Sequence, residues 1–290
     1  MTRIFIAGAG GFIGSHLVEY IEQNMDWKVC NTNPDLVVHL AGCSQIDKSI
    51  SDPAKTFSRD IDTTLALLQV TRAWPNVKKF LYFSSDEVFG PKGHPLGWEP
   101  IVDFSPWSRY NSHSPYAAGK AACEELCLAW ASTYGVPTVI THCQNLIGER
   151  QLANKFLPTV VRCALKGEPV PIYCDPSEQL PKREYLHVRD AVRAIVILLA
   201  HGEIREKYNI AGDEEYNGFE IVHAVSAILG REIEVKTIPA ETVRKGFTLG
   251  HGLNGSKLQE LGWRRRPLME SLSNTVLWMA APENRKWLGL

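Results

Sequence analysis

The sequence predicts an α/β fold: a doubly wound parallel sheet with a truncated strand 2/strand 3 edge and a smaller C-terminal lobe. Three observations predict it. Short β-branched runs alternate with helix-period segments through the first two thirds of the chain, and that alternation builds a parallel sheet with helices on both faces. A glycine cluster follows the first apolar run directly. Between the first helix and the run Leu36–Leu40 there is room only for the stub Trp27–Cys30. Without that stub the chain would pass from strand one to its other neighbour by a left-handed crossover, which parallel sheets avoid. A short second strand with a tight return loop resolves the topology.

Taken in order, the first strand is predicted over Arg3–Ala7, the first helix over Ser15–Gln23, and strands over the stub Trp27–Cys30 and over Leu36–Leu40. A helix follows over Asp60–Ala73, a strand over Lys79–Phe83, a helix over Tyr116–Tyr134 and a strand over Thr138–Thr141. From about residue 144 the pieces shorten: Leu157–Leu165 reads as helix, Val170–Tyr173 as extended, and Val188–His201 and Phe219–Leu229 as helices. These give a sheet domain over 1–143 and a lobe over 144–290, interleaved with the last strands of the sheet. The long irregular segment Gly90–Ser114, with His94, Trp98, Trp107 and His113, is expected to form a lid, since loops of that length in compact domains commonly carry function.

Composition narrows the function classes. The chain has 290 residues, 31 Lys+Arg against 32 Asp+Glu, a formal charge of -1 and 44% hydrophobic residues. That balance supplies no basic footprint, so neither a nucleic-acid nor a membrane partner is expected. The apolar stretch Ala191–Ala200 is broken by Arg193 and is far short of the roughly 20 residues that span a bilayer. Seven cysteines without a C-x-x-C pair, and no secretory leader, point to reduced thiols in the cytoplasm. Cys123 and Cys127, four apart on a helix, read as small buried apolar groups rather than a metal pair. No metal site is expected, because the nine histidines show no ligand spacing.

Chemistry enters at the glycine loop. Gly8-Ala9-Gly10-Gly11-Phe12-Ile13-Gly14 lies between the first strand and the first helix. The physical demand of a dinucleotide site is a tight turn at Gly8, close approach of a pyrophosphate at Gly11, and tight helix packing at Gly14. The phosphates then lie at a helix N-terminus, which favours anions. Such sites normally place an Asp or Glu at the end of strand two for the adenine-side ribose. Here the stub runs into Asn31-Thr32-Asn33-Pro34, Asp26 precedes it, and Asp35 begins the next strand.

A second constellation gathers at a later strand end. Ser84-Ser85-Asp86-Glu87-Val88-Phe89-Gly90 emerges from the apolar strand ending at Phe83, where open α/β sheets place their ligands. Tyr116 and Lys120, four apart, share one helix face. An ammonium beside a phenol favours phenolate, so Lys120 is expected to lower the Tyr116 pKa and make it a general base.

With these motifs in place, the sequence resembles the extended short-chain dehydrogenase/reductase family of NAD-dependent epimerases and dehydratases. Its fold would then be Rossmann-like, and the similarity is greatest to nucleotide-sugar 4,6-dehydratases of the dTDP-glucose type. The residues that carry the resemblance, besides those above, are His39-Leu40-Ala41-Gly42, Asp47–Pro53, Asn145, Gly148, Lys155-Phe156-Leu157-Pro158, Pro171-Ile172-Tyr173, Arg183 and Lys286-Trp287. The resemblance implies NAD as cofactor, held by Gly8, Gly11, Phe12, Ile13, Gly14, Leu40, Ala41, Gly42, Ser84, Tyr116 and Lys120. It implies a nucleotide-diphosphate sugar as substrate, contacted by Gln45, Ser85, Asn145, Lys155, Leu157, Tyr173 and Arg183. In the implied reaction Tyr116 takes the O4 proton as C4 is oxidised, and Ser85 hydrogen-bonds O4. Glu87 then removes the C5 proton while protonated Asp86 donates to the departing 6-hydroxyl.

A 4-epimerase, a 5,6-dehydratase and a non-catalytic binding relative are the alternatives the same residues leave open. Similarity further implies a homodimer, with helices around Thr56–Ala73 and Tyr116–Tyr134 pairing into a four-helix bundle. Departures from the family pattern are equally visible. Most of strands two and three is missing, Asp60 stands where an Asn is usual, Gln45 stands for a His, and no arginine appears around Gly250-His251-Gly252.

Overall fold

The structure, a computed structural model, describes residues 1–91, 103–212, 214–240 and 248–290. His94 and Trp98 lie outside the described residues. In chain order the elements are β1 (Thr2–Ala7), α1 (Phe12–Asn24), β2 (Trp27–Val29), β3 (Leu36–His39), α2 (Ile46–Ser51), α3 (Pro53–Ala73) and β4 (Lys79–Phe83). A 3-10 turn over Asp86–Phe89 precedes α4 (Pro115–Tyr134), β5 (Thr138–Cys143), β6 (Asn145–Ile147), α5 (Phe156–Lys166) and β7 (Val170–Cys174). Then come β8 (Lys182–His187), α6 (Val188–His201), β9 (Lys207–Ile210), β10 (Glu215–Asn217), α7 (Gly218–Leu229) and β11 (Val235–Pro239). The chain closes with α8 (Ser256–Glu260), α9 (Leu268–Ala280) and a 3-10 segment, Pro282–Leu288.

The main sheet runs β2-β1-β3-β4-β5-β9, and every pairing in it is parallel. β2 is three residues long and forms the edge, which is the truncation that crossover handedness requires. Alternation along the strands fills both faces. Leu36, Val38, Leu81 and Phe83 face a core shared with α1 and α6, whereas Val37, Phe80 and Tyr82 face one shared with α3 and α4. Cys123 and Cys127 belong to the second of these cores as small apolar groups.

A further core, built from α5, α7, α9, β7 and the 3-10 segment near the C-terminus, forms the smaller lobe. Its strands β6 and β8 are parallel, with β10 antiparallel on the far side of β8, and β11 pairs with β7. After residue 143 the chain also returns to the main sheet, through β9 and through α6.

Caps account for where the helices begin. Ser114 Oγ accepts from Ala117 N at 3.1 Å, Pro115 occupies the first helical position, and Gly135 closes α4 in the left-handed region. The helix expected to start at Asp60 begins instead at Pro53, capped by the Asp52 carboxylate on Lys55 N. Its first two turns are polar, so their periodicity is weak while their capping signal is strong.

Candidate active site

The glycine loop has the shape a pyrophosphate needs. Gly8 adopts φ +90°, and a Cβ added at Gly14 would lie 2.0 Å from the Gly8 carbonyl oxygen. No side chain can occupy position 14 without separating α1 from β1. Gly11 caps α1 with no side-chain bond to the first-turn amides and no acid stands in that turn, so those N–H groups remain free to receive an anion. Phe12 and Ile13 begin the helix, while Leu40, Ala41 and Gly42 follow β3 at the facing strand end. Gly42 lies against Asp60, whose two carboxylate oxygens accept from Cys43 N at 2.9 and 3.0 Å. Asp60 thus fixes the loop after β3. On the adenine side, Asp35 accepts from Arg3 N at 2.8 Å and stands at the start of β3, away from the strand ends that face a ligand.

Ser85 caps the 3-10 turn by accepting from Glu87 N at 3.3 Å, and its hydroxyl donates to Asp86 Oδ1 at 3.1 Å. That turn buries Asp86, which is 5% exposed. Burial first, and the neighbouring Glu87 charge second, push the Asp86 carboxyl up to about 8, against the pull of Arg183. It is therefore a proton carrier at neutral pH. Tyr116 enters from α4 and shares a hydrogen bond with Ser85.

The expectation that Lys120 depresses Tyr116 is corrected by the geometry. Lys120 Nζ donates to the Phe83 carbonyl at 3.1 Å. Burial dominates Tyr116 and raises its pKa; the Ser85 hydrogen bond opposes this, and the Glu87 and Asp86 charges add to it. Lys120 itself is lowered by burial. The Ser84 hydroxyl, just beyond β4, donates to Glu124.

The residues expected to contact substrate are distributed around this centre. Arg183, on β8, donates to the Thr248 carbonyl at 2.6 Å, and its charge reaches Asp86. It therefore stands beside the carboxyl pair. Gln45 caps α2, and next to it the Ser44 carbonyl accepts from Lys155 Nζ, which joins the lobe to the loop after β3. Asn145 is exposed at the start of β6, and Tyr173 is half-buried on β7 opposite Ile238. Leu157 is 2% exposed within the lobe core. Trp107, from the expected lid, is 53% exposed and donates to Glu206 at 3.1 Å.

Two features escaped sequence reading. His251 occupies the place where an arginine was sought. Its Nδ1 donates to the Gly90 carbonyl at 2.8 Å, Nε2 meets Thr248 Oγ1 at 2.7 Å, and Glu87 Oε1 is 3.6 Å away. Burial lowers the His251 pKa, with Glu87 opposing and Arg183 adding to it. The second feature is a buried cluster around Glu124 behind the strand ends, for which the sequence offered no signal beyond polar residues in apolar surroundings. Among the described residues no group of three or more His, Cys, Asp and Glu side chains is placed to hold a metal ion, and no helix is long and apolar enough to cross a membrane.

A parallel sheet, a glycine cradle at a helix N-terminus and a Ser-Asp-Glu turn facing a Tyr-Lys helix define a dinucleotide-dependent enzyme. The chain belongs to the NAD dependent epimerase/dehydratase family, whose model matches residues 27–211. It is 31% identical to dTDP-glucose 4,6-dehydratase of Salmonella typhimurium over 99% of this chain and 94% of that protein. Among solved structures it superposes on the dTDP-glucose 4,6-dehydratase DesIV of Streptomyces venezuelae, determined with NAD bound, with a TM-score of 0.85 and 27% identity over 98% of both chains. A UDP-glucose 4-epimerase from Thermus thermophilus, complexed with NAD, gives a TM-score of 0.81 and 25% identity over 94% of this chain and 97% of that one.

Proposed function

We propose that this chain is an NAD-dependent nucleotide-sugar 4,6-dehydratase that forms a 4-keto-6-deoxy sugar. The observation that carries the reading is the pair Asp86–Glu87: one carboxyl is buried and pushed up to about 8, and its neighbour faces His251 from a less buried position. Two adjacent carboxyls in different environments suit opposite proton-transfer roles. A 4-epimerase has no need of that pair.

The residues divide the work as follows. Gly8, Gly11 and Gly14 accommodate the dinucleotide pyrophosphate, and Lys120 stands on the α4 face that carries Tyr116. The dinucleotide, when bound, supplies the hydride acceptor for C4 and the hydride donor for C6. Tyr116 would accept the O4 proton as phenolate, a form that burial disfavours but that the Ser85 hydrogen bond and the positive nicotinamide ring of a bound dinucleotide would favour. Glu87 removes the C5 proton, made acidic by the adjacent ketone, and Asp86 protonates the departing 6-hydroxyl. Arg183 suits a diphosphate oxygen because its guanidinium is planar and permanently charged. In this reading Lys155, Gln45, Asn145 and Tyr173 contact the nucleotide sugar.

The protein is a homodimer in this reading, through α3 and α4, whose outer faces expose Phe57 (40%), Val70 (45%) and Tyr134 (44%). Light scattering at micromolar concentration reads this directly, and a monomer refutes it. Free thiols at all seven cysteines suit a reducing cytoplasm.

The decisive experiment incubates the protein and NAD⁺ separately with dTDP-glucose, UDP-glucose, UDP-N-acetylglucosamine, CDP-glucose and GDP-mannose. Mass spectrometry then looks for loss of one water. Loss with one sugar, abolished by Glu87→Gln and by Tyr116→Phe, establishes dehydration and names the nucleotide. Inversion at C4 without water loss replaces the reading with epimerisation.

A further inference from the structure

The proposed chemistry leaves the cluster around Glu124 unused. Glu124 lies one turn beyond Lys120 on α4 and is fully buried. One of its oxygens accepts from Ser84 Oγ. The other accepts from the Tyr110 hydroxyl at 2.7 Å, from His142 Nε2 at 3.0 Å and from Lys207 Nζ at 3.0 Å. His142, buried on β5, meets Asn209 Oδ1 through Nδ1 at 2.9 Å. The Asn209 amide nitrogen donates to the carbonyls of Phe104 at 2.8 Å and Asn254 at 3.0 Å, so the atom it turns toward the ring is its oxygen. A carboxylate likewise only accepts. Both ring nitrogens of His142 therefore act as donors.

What this ring joins is the frame of the catalytic turn. Phe104 and Asn254 belong to the two segments that brace Asp86–Phe89. Phe104 N donates to the Gly252 carbonyl at 3.0 Å, and Asn254 N returns to the Phe104 carbonyl at 2.9 Å. From these segments Asn111 N reaches the Val88 carbonyl at 2.9 Å, and His251 holds the Gly90 carbonyl and faces Glu87. The turn also packs on the ring itself: Phe89 and His142 have centroids 4.6 Å apart. Glu124, His142 and Asn209 thus form a chain from α4 across β5 and β9 to both bracing segments.

We propose that His142 is a positioning residue for the dehydration step, holding the segments that fix where Asp86 and Glu87 point without itself touching substrate. The inference rests on the roles given to those two carboxyls above. Freed from this anchor the turn keeps its residues but loses its placement, and displacement by about 1 Å can slow a step by up to about 100-fold.

His142→Phe keeps the ring volume against Phe89 and removes both donors. With a sugar that the wild type dehydrates, stopped-flow reads C4 oxidation through the transient nicotinamide absorbance, and quenched-flow mass spectrometry reads water loss. The variant is expected to oxidise C4 within about threefold of wild type with KM within about threefold, yet to release water at least about tenfold more slowly, so that the absorbance accumulates. Equal slowing of both steps, or of neither, overturns the inference, because a general loss of folded enzyme lowers both alike. Asn209→Asp, which keeps an acceptor for His142 and removes the donors to both segments, is expected to show the same step-selective defect. It carries the test alone where His142→Phe does not fold. If the wild type releases water from none of the sugars, the dehydratase reading falls and this inference with it; an active wild type with a variant slowed equally in both steps refutes this inference alone.

Discussion

Replacing Asp86 by Asn should make the protein more stable while disabling it. The ordinary aspartate value is 3.8, and the folded site pushes Asp86 up to about 8. Between those values the unfolded chain has lost the proton that the folded chain retains, so wild-type stability falls as pH rises through the window. At pH 7 about three pH units at about 1.4 kcal/mol each give a cost of about 4 kcal/mol, and the cost is absent at or below pH 4. Asn cannot ionise, is nearly isosteric, and keeps an acceptor for the Ser85 hydroxyl, so it escapes that cost. Urea denaturation of both proteins at pH 4, 5, 6, 7 and 8 is the assay. The variant should gain on the wild type steadily from pH 4 upward and level off near pH 8. In a Glu87→Gln background the gain should shrink, because the Glu87 charge is the second cause of the elevation. A gain that is flat in pH, or one that runs the other way, refutes the placement of Asp86 as a protonated buried acid. Activity should move oppositely: loss of a general acid slows water elimination by about 10² to 10⁴-fold.

Gly14→Ala is expected to abolish NAD binding in a fluorescence titration and to cost about 3 kcal/mol or more, because the new Cβ would lie 2.0 Å from the Gly8 carbonyl. Gly10→Ala, where nothing lies within 4 Å, should stay within about 0.5 kcal/mol of wild type. Glu124 predicts an acid limb. Burial alone would raise its pKa, but His142, Lys207 and Ser84 outweigh that and bring it down to about 2, against an ordinary 4.5. Its contribution is complete above pH 4.5 and is lost as pH falls toward 2, an amplitude of about 3 kcal/mol. Stability measured across that range should lose this slope in Glu124→Gln, which also leaves Lys207 without its buried partner.

The parts of this molecule that were legible in the sequence are those whose signals are local. β1 and the glycine loop are consecutive, Ser84–Gly90 follows its strand directly, and Tyr116 and Lys120 are one turn apart. Even the short edge strand β2 could be inferred, because handedness forbids the alternative route to β3. The unread parts are carried by contacts between distant residues. Lys207 and Glu124 are 83 residues apart, and Asn209 meets Phe104 across 105. In sequence, Lys207-Tyr208-Asn209-Ile210 alternates like a strand with a polar outer face; in the structure that polar face is buried. His251 was hidden for the same reason, since only long-range contacts bring it to the Gly90 carbonyl and Glu87.

This division has a physical cause that also bears on function. Apolar residues announce themselves by periodicity, whereas a buried ion cluster needs several complementary groups whose coincidence no single segment displays. A buried charge is tolerated only when its partners are fixed around it, so such a cluster is rigid wherever it occurs. Here it lies directly behind the turn that carries Asp86 and Glu87, and it ties that turn's bracing segments to three different elements of the sheet domain. The dinucleotide-binding half can therefore be shortened at β2 while the catalytic half keeps its geometry. The strands β5 and β9 that hold the cluster lie at the opposite side of the sheet from the short edge strand β2.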